Sequence, residues 1–208
     1  MLTFPSKTTV GRIMPKEAFY KRLTLKGDVR DKFVSDVRRI VLEYKLAPDT
    51  LNVEKGKEIS EILVLSIDLK KKEMDFRIVE NIARQNAHKL IFLLKFQEHG
   101  QLAIYYNKLY KTKWMPLENM KLDAKGLNLD TIWEEFIEQI ALEEEKVSHN
   151  KSLSVDERLE KQEIILKLQK EIDRLERISR KEKQPKKKFE QFTQLQRMKK
   201  KLAEEKGE

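Results

Sequence analysis

Between Val155 and Lys183 the chain has neither glycine nor proline, and within that stretch Ile165, Leu168, Ile172 and Leu175 step by three, four and three residues. That spacing is an a/d seam, and Lys167, Lys170, Glu171, Asp173, Arg174, Glu176 and Arg177 mix both signs of charge outside it, as the outer positions of a coiled coil do. A helix of about 27 residues reaches roughly 40 Å. Pro185 ends it, because a proline ring clashes with the preceding turn and removes a backbone donor. Beyond the proline, Phe189, Phe192, Leu195, Met198 or Lys199, and Leu202 recur at three and four, which predicts a second amphipathic helix. Ile165, Leu168, Ile172, Leu175, Phe192, Leu195 and Leu202 are therefore the expected helix-interface residues. Burying each such side chain contributes roughly 1.5–3 kcal/mol, so neither stripe is expected to face water. Two arrangements satisfy this: a hairpin within one chain, favoured by the short break, or an intermolecular coiled coil through which the protein self-associates.

The same segment holds most of the net positive charge. Of 208 residues, 44 are Lys or Arg and 35 Asp or Glu, a net +9, and the share of charged residues, 38%, is far above the roughly 25% of an ordinary globular domain. Between Arg177 and Lys206 twelve basic residues face four acidic ones. Each phosphate that a Lys or Arg neutralises releases counterions, so Lys186, Lys187, Lys188, Arg197, Lys199, Lys200 and Lys201 are the candidate nucleic-acid-binding residues. A solvated helix face explains such runs equally well. Phe189 and Phe192 either stack on unpaired bases or bury in the seam, and the helical spacing favours the seam.

Upstream, seven of nine Phe, both Trp and all five Tyr precede residue 150. The pattern predicts a short helix from Pro15-Lys16, a helix from Asp28 to Leu42, and a turn or extended link at Leu46 to Thr50. A strand follows over Ile62–Leu69, then a helix over Met74–Ala87 and a strand over Lys89–Phe96. Glu98-His99-Gly100 reads as the turn to a hairpin partner, Gln101 to Tyr106, carried as far as Trp114, and a last helix covers Asp130–Leu142. The expected class is α+β, a mixed or antiparallel sheet with helices packed on one side, followed by a coiled-coil-like helical pair. The expected units are a body over 1–146, a polar linker over 147–154 and a basic helical tail over 155–208.

Most enzyme classes lack their residues. Without cysteine there is no thiolate nucleophile and no zinc-thiolate site, and three histidines, His88, His99 and His149, are too few for a histidine cage. No phosphate-binding glycine loop, GxSxG or HExxH is present, so neither a catalytic residue, nor a metal, nor a cofactor is assigned. One alternative is weighed: Pro48-Asp49 followed by Asp68-Leu69-Lys70 has the residue order of the PD-(D/E)xK nucleases, in which two carboxylates hold Mg²⁺ and the lysine serves the attacking water. The pattern is short enough to arise by chance. No apolar run approaches the roughly 20 residues of a spanning helix, and the first residues lack a signal-peptide core, so the expectation is a cytoplasmic protein with no membrane role.

Leu46-Ala47-Pro48-Asp49-Thr50-Leu51-Asn52-Val53, then Glu61-Ile62-Leu63-Val64-Leu65, Asn107-Lys108 after the hairpin strand, and the tail sequence Arg180-Lys181-Glu182-Lys183-Gln184 with Lys188 together resemble a bacterial family of small proteins of unassigned function. Its genes are associated with superfamily-2 helicases and DNA methyltransferases in restriction-like defence islands. The resemblance runs from the Pro15-Lys16 helix to the tail, with Pro185 a departure from it. It implies a non-enzymatic accessory subunit that holds a large helicase or methyltransferase partner and touches DNA through its basic tail, and it carries over no catalytic residue. The competing readings are the metal-dependent nuclease and a coiled-coil adaptor with no nucleic-acid role.

Overall fold

The computed structural model describes residues 2, 4–142 and 153–206. Two compact units divide the chain, Met1–Ala141 and Leu142–Glu208. Residues 147–152 of the expected linker lie outside the described residues.

The first unit is built on a mixed sheet: β1 (Thr9–Met14), β2 (Val37–Leu46), β3 (Ile62–Leu69), β4 (Lys89–Phe96), β5 (His99–Tyr106) and β6 (Lys108–Lys111) lie side by side in chain order, and a two-residue β7 (Met115–Pro116) pairs with the start of β5. Every pairing is antiparallel except β3 with β4, which are parallel and therefore need a crossover; α4 (Arg77–Arg84) supplies it. The other helices of the unit are α1 (Lys16–Arg22), α2 (Gly27–Asp36), the single turn α3 (Pro48–Leu51) and α5 (Leu129–Ala141). The class is α+β, as the alternation of patterns implies.

Helices cover both faces of the sheet, not one. Val29 and Phe33 of α2 with Ile78, Val79 and Ile82 of α4 join Ile40, Leu65, Ile67, Phe92 and Leu94 in one buried cluster. On the other face Tyr44 stands opposite Val64 in the ladder, and Phe4 packs edge-on against both Tyr44 and Phe136 of α5, at ring distances of 5.1 and 6.1 Å. With β3 and β4 buried from both sides, their near-continuous apolar runs are what the position demands.

The helix expected over Asp28–Leu42 stops at Asp36, and Val37–Leu46 is a full ten-residue strand between β1 and β3. Val29, Phe33, Val37 and Ile40 do keep helical spacing, but Val37, Ile40 and Val41 are β-branched, and contacts distant in sequence hold the switch point. Asp36 is buried. Its carboxylate accepts from the Ser35 hydroxyl at 2.7 Å and the Asp75 N–H at 3.3 Å, and pairs with the Lys71 ammonium at 2.9 Å, while its carbonyl accepts from the Lys70 N–H. Burial alone raises this carboxyl, and the hydroxyl, ammonium and amide donors outweigh it, holding the group below the ordinary carboxylate value. A depressed native pKa contributes stability above the unfolded value of about 3.9, and that contribution is lost as pH falls through the lower folded value. Asp36→Asn should therefore cost on the order of 2 kcal/mol at neutral pH. In urea melts the gap between wild type and variant should close as pH is lowered toward that of the protonated native carboxyl; a gap of constant size across the acid range would show that the carboxylate charge is not what the site uses.

Two turns also differ from expectation. The β4–β5 reversal is Gln97-Glu98, with Gln97 at φ 52°, so His99 and Gly100 already belong to β5. Gly100 is there for space: a Cβ would run into the Met120 sulfur and Leu117. The hairpin partner does not continue to Trp114, because Asn107 at φ 58° reverses the chain and Lys108–Lys111 returns as β6. The helix expected over Met74–Ala87 is shorter, Arg77–Arg84, and β1 went unread, its six residues interrupted by Gly11 at φ 63° where the register to β2 shifts.

In the second unit α6 (Val155–Lys181) and α7 (Pro185–Lys206) pack against each other. Ser154 caps α6: its hydroxyl accepts the Glu157 N–H while the Glu157 carboxylate accepts the Ser154 N–H, the reciprocal box that Ser-x-x-Glu encodes. Between the helices the Glu182 carboxylate accepts the Gln184 N–H, and the Gln184 carbonyl accepts the first helical N–H of α7 from Lys188. Pro185 sits at the first position of α7, where its missing donor costs nothing. The departure from the family pattern is thus an ordinary helix start.

Candidate nucleic-acid interface

The hairpin arrangement is the one the structure adopts. Ile172 and Leu175 of α6 meet Leu195, Met198 and Leu202 of α7 in one cluster, and Lys199 Nζ closes it with a 2.7 Å ion pair to Glu176. A three-residue connection between α6 and α7 makes such packed neighbours antiparallel. Of the expected interface residues, Ile172, Leu175, Leu195 and Leu202 share this cluster, whereas Ile165, which is buried, and Leu168, which is half-buried, are not part of it. Phe192 is a correction: it is 51% exposed. Leu195, Met198 and Leu202 centre the seam, and at 100° per residue Phe192 falls roughly 80° off that centre. Phe189 lies further out and is 71% exposed.

Removing α7 uncovers the α6 stripe. A chain ending at Lys183 should scatter light as a larger species than the full chain, since exposed apolar stripes seek partners. An unchanged mass would mean that α7 does not shield the seam.

The seven candidate cations divide into two groups. Lys199 belongs to the hairpin through Glu176, and this contact holds the Glu176 carboxyl below its ordinary value. Lys186, Lys187, Lys188, Arg197, Lys200 and Lys201 are all exposed, and none has an acidic partner among the described residues. The first turn of α7 contains three lysines and no acid. Cations at the positive end of a helix dipole cost stability, by roughly 0.3–1 kcal/mol each at low salt. The positive potentials of side chains and helix end therefore add over the first turn of α7, which has no acid of its own.

The nuclease triad is not assembled. Asp49 follows Leu46, whose ladder partner is Ile62, whereas Asp68 stands six residues further along β3. At about 3.3 Å per residue the two carboxylates are roughly 20 Å apart, far too distant to share a metal ion. Lys70 donates to the Val34 carbonyl at 3.0 Å. Asp68 itself accepts from Arg39 Nη2 at 2.6 Å and lies 3.4 Å from Lys95 Nζ, and Lys95 also donates to Glu43 Oε1, which accepts the buried Ser66 hydroxyl at 2.6 Å. Two carboxylates and two cations thus balance across β2, β3 and β4. Glu43 and Lys95 were missed in the sequence because the network exists only once three strands are aligned, although Lys95 is a charge near the end of an otherwise apolar run. Among the described residues no group of three His, Cys, Asp or Glu is placed to hold a metal.

His88 and His99, read as surface or turn residues, are both exposed, and His88 Nδ1 lies 3.0 Å from Glu61. A cavity of about 310 Å³ opens on the α1 and α4 side of the sheet, lined by Phe19, Leu42, Leu63, Leu65 and Ile82 with Arg22 and His88 at its edge. Among the described residues no hydroxyl nucleophile and no carboxylate lines it. The Pro48-Asp49-Thr50-Leu51-Asn52 motif is likewise structural: Pro48 starts the α3 turn, the Thr50 hydroxyl accepts the Ala47 N–H, and Asn52 closes the turn at φ 57°. Among the described residues no helix is long and apolar enough to cross a membrane.

No curated protein and no solved structure matches the chain. A family model does, and it runs through both units, from the strand-bearing first to the helical hairpin: over residues 2–202 the chain belongs to the family described as Domain of unknown function (DUF4391).

Proposed function

We propose that the chain is a non-enzymatic accessory subunit of a DNA-processing system of the helicase- or methyltransferase-centred kind found in phage defence, holding its large partner through the α+β unit and DNA through α7. The observation that carries the DNA contact is the set of six exposed cations, Lys186, Lys187, Lys188, Arg197, Lys200 and Lys201, that have no acidic partner among the described residues. A face used only for solvation gains from salt bridges with neighbouring acids, and α6 has such pairs in Lys167–Glu163 and Arg174–Glu171. The outer face of α7 instead leaves its charge open to a polyanion. The non-enzymatic reading is supported by the neutralised Asp68 network and by the separation of Asp49 from Asp68.

The test is a titration of random-sequence duplex DNA over a range of salt. Six phosphate contacts correspond to a slope of about −5 in log K against log[salt], at roughly −0.9 for each. Absence of affinity at low salt would end the DNA reading. Pull-down of a helicase or methyltransferase by the full chain, retained when the six cations are neutralised, would support docking through the first unit.

A further inference from the structure

We infer that Phe189 and Phe192 form a stacking platform for unpaired bases, so that α7 takes single-stranded nucleic acid in preference to duplex. The inference rests on the polyanion reading of α7 and adds which polyanion it is.

Phe189 and Phe192 are exposed to 71% and 51%, three positions apart and hence on one flank of the helix. Exposure on this scale runs against the usual fate of phenylalanine, which dominates cores when it can. The hairpin has no use for the rings, because its seam is complete with Leu195, Met198 and Leu202. The surroundings decide what covers them. Lys186 and Lys188 precede the pair and Arg197 and Lys200 follow it, and between Pro185 and Arg197 a single carboxylate, Glu190, stands against four cations. A flat apolar face framed by positive charge is complementary to a base with its phosphate. Duplex DNA offers only the phosphates, because its base faces are stacked on one another; a single strand offers both, and stacking is tolerant of sequence because every base has a π-face. An apolar protein surface would leave the flanking ammonium groups without counter-charge.

The test measures anisotropy of labelled 20-mers of deoxythymidine, of uridine and of mixed-sequence duplex DNA with the full chain at one salt concentration. The two single strands distinguish DNA from RNA. We expect single strands to bind about tenfold or more tightly than duplex, and Phe189→Ala with Phe192→Ala to lower single-strand affinity by about 10–100-fold while duplex affinity is unchanged. Phe189→Leu with Phe192→Leu should lose nearly as much, and Phe189→Trp with Phe192→Trp should restore binding, which separates stacking from general apolar contact. Circular dichroism of each variant should match wild type, since the rings lie outside the seam. Equal binding of single strand and duplex, indifferent to the alanine pair, would overturn the platform and leave the polyanion reading standing; absence of binding to any of the three would overturn both. A wild-type dimer that the alanine pair turns into monomers would assign the rings to a second copy of the chain and overturn the proposal.

Discussion

With Lys186, Lys187, Lys188, Arg197, Lys200 and Lys201 changed together to glutamine, the salt dependence of duplex DNA binding is expected to flatten almost completely. A protein with six phosphate contacts loses roughly 10³-fold in affinity between 50 and 200 mM salt, whereas one without them has little left to lose. The variant should therefore bind on the order of 10³-fold more weakly than wild type at low salt, with the two curves converging as salt rises. Glutamine keeps a helix propensity close to that of lysine, and the three changes in the first turn remove a repulsion with the helix dipole, so the hairpin should survive them. Lys199 is left in place because its ion pair to Glu176 belongs to the hairpin. A variant that keeps the wild-type slope would show that these six side chains do not meet phosphates.

The second large effect is on stability. Phe92 is fully buried in β4, among the residues that α2 and α4 cover. Truncating it leaves a cavity that strands held on both sides by β3 and β5 cannot close, and Phe→Ala in such a site costs about 3–5 kcal/mol. For a unit of this size that corresponds to a fall of roughly 10–15 °C in melting temperature. Phe192→Ala removes the same side chain from an exposed helix face and should stay within about 0.5 kcal/mol of wild type. If the two substitutions cost the same, the division of phenylalanines between core and surface is wrong, and the stacking platform loses its basis with it.

How far each element could be read depends on where its determinants lie. The strands over Ile62–Leu69 and Lys89–Phe96 and the helix close to Asp130–Leu142 were legible because each is a long apolar pattern of one period, bounded within a residue or two by polar or turn positions. Val37–Leu46 was not, since helical spacing upstream ran on into it and the switch at Asp36 depends on Lys70, Lys71 and Asp75, more than thirty residues away. The basic surface was legible as charge, but the sequence did not separate Lys199, which faces a partner helix, from its neighbours Lys200 and Lys201, which do not. The alternative of Asp68 as a metal ligand stayed open only while Asp49 had no position.

By itself, then, the sequence determined the parts that need only neighbouring residues: two amphipathic helices broken by a proline, their excess of positive charge, and a body of strands and helices that packs its aromatics. Stripe period and charge are properties of a local stretch, and no fold can change them. Only the tertiary structure decided that the two stripes cover each other, that β2 is a strand, that Asp49 and Asp68 stand at opposite ends of the sheet, and that Phe189 and Phe192 remain in solvent. Periodicity states which face of an element is apolar. It does not state what lies against that face, and a stripe with residues to spare on its flank is resolved only when the partner helix takes one register and leaves the rest outside.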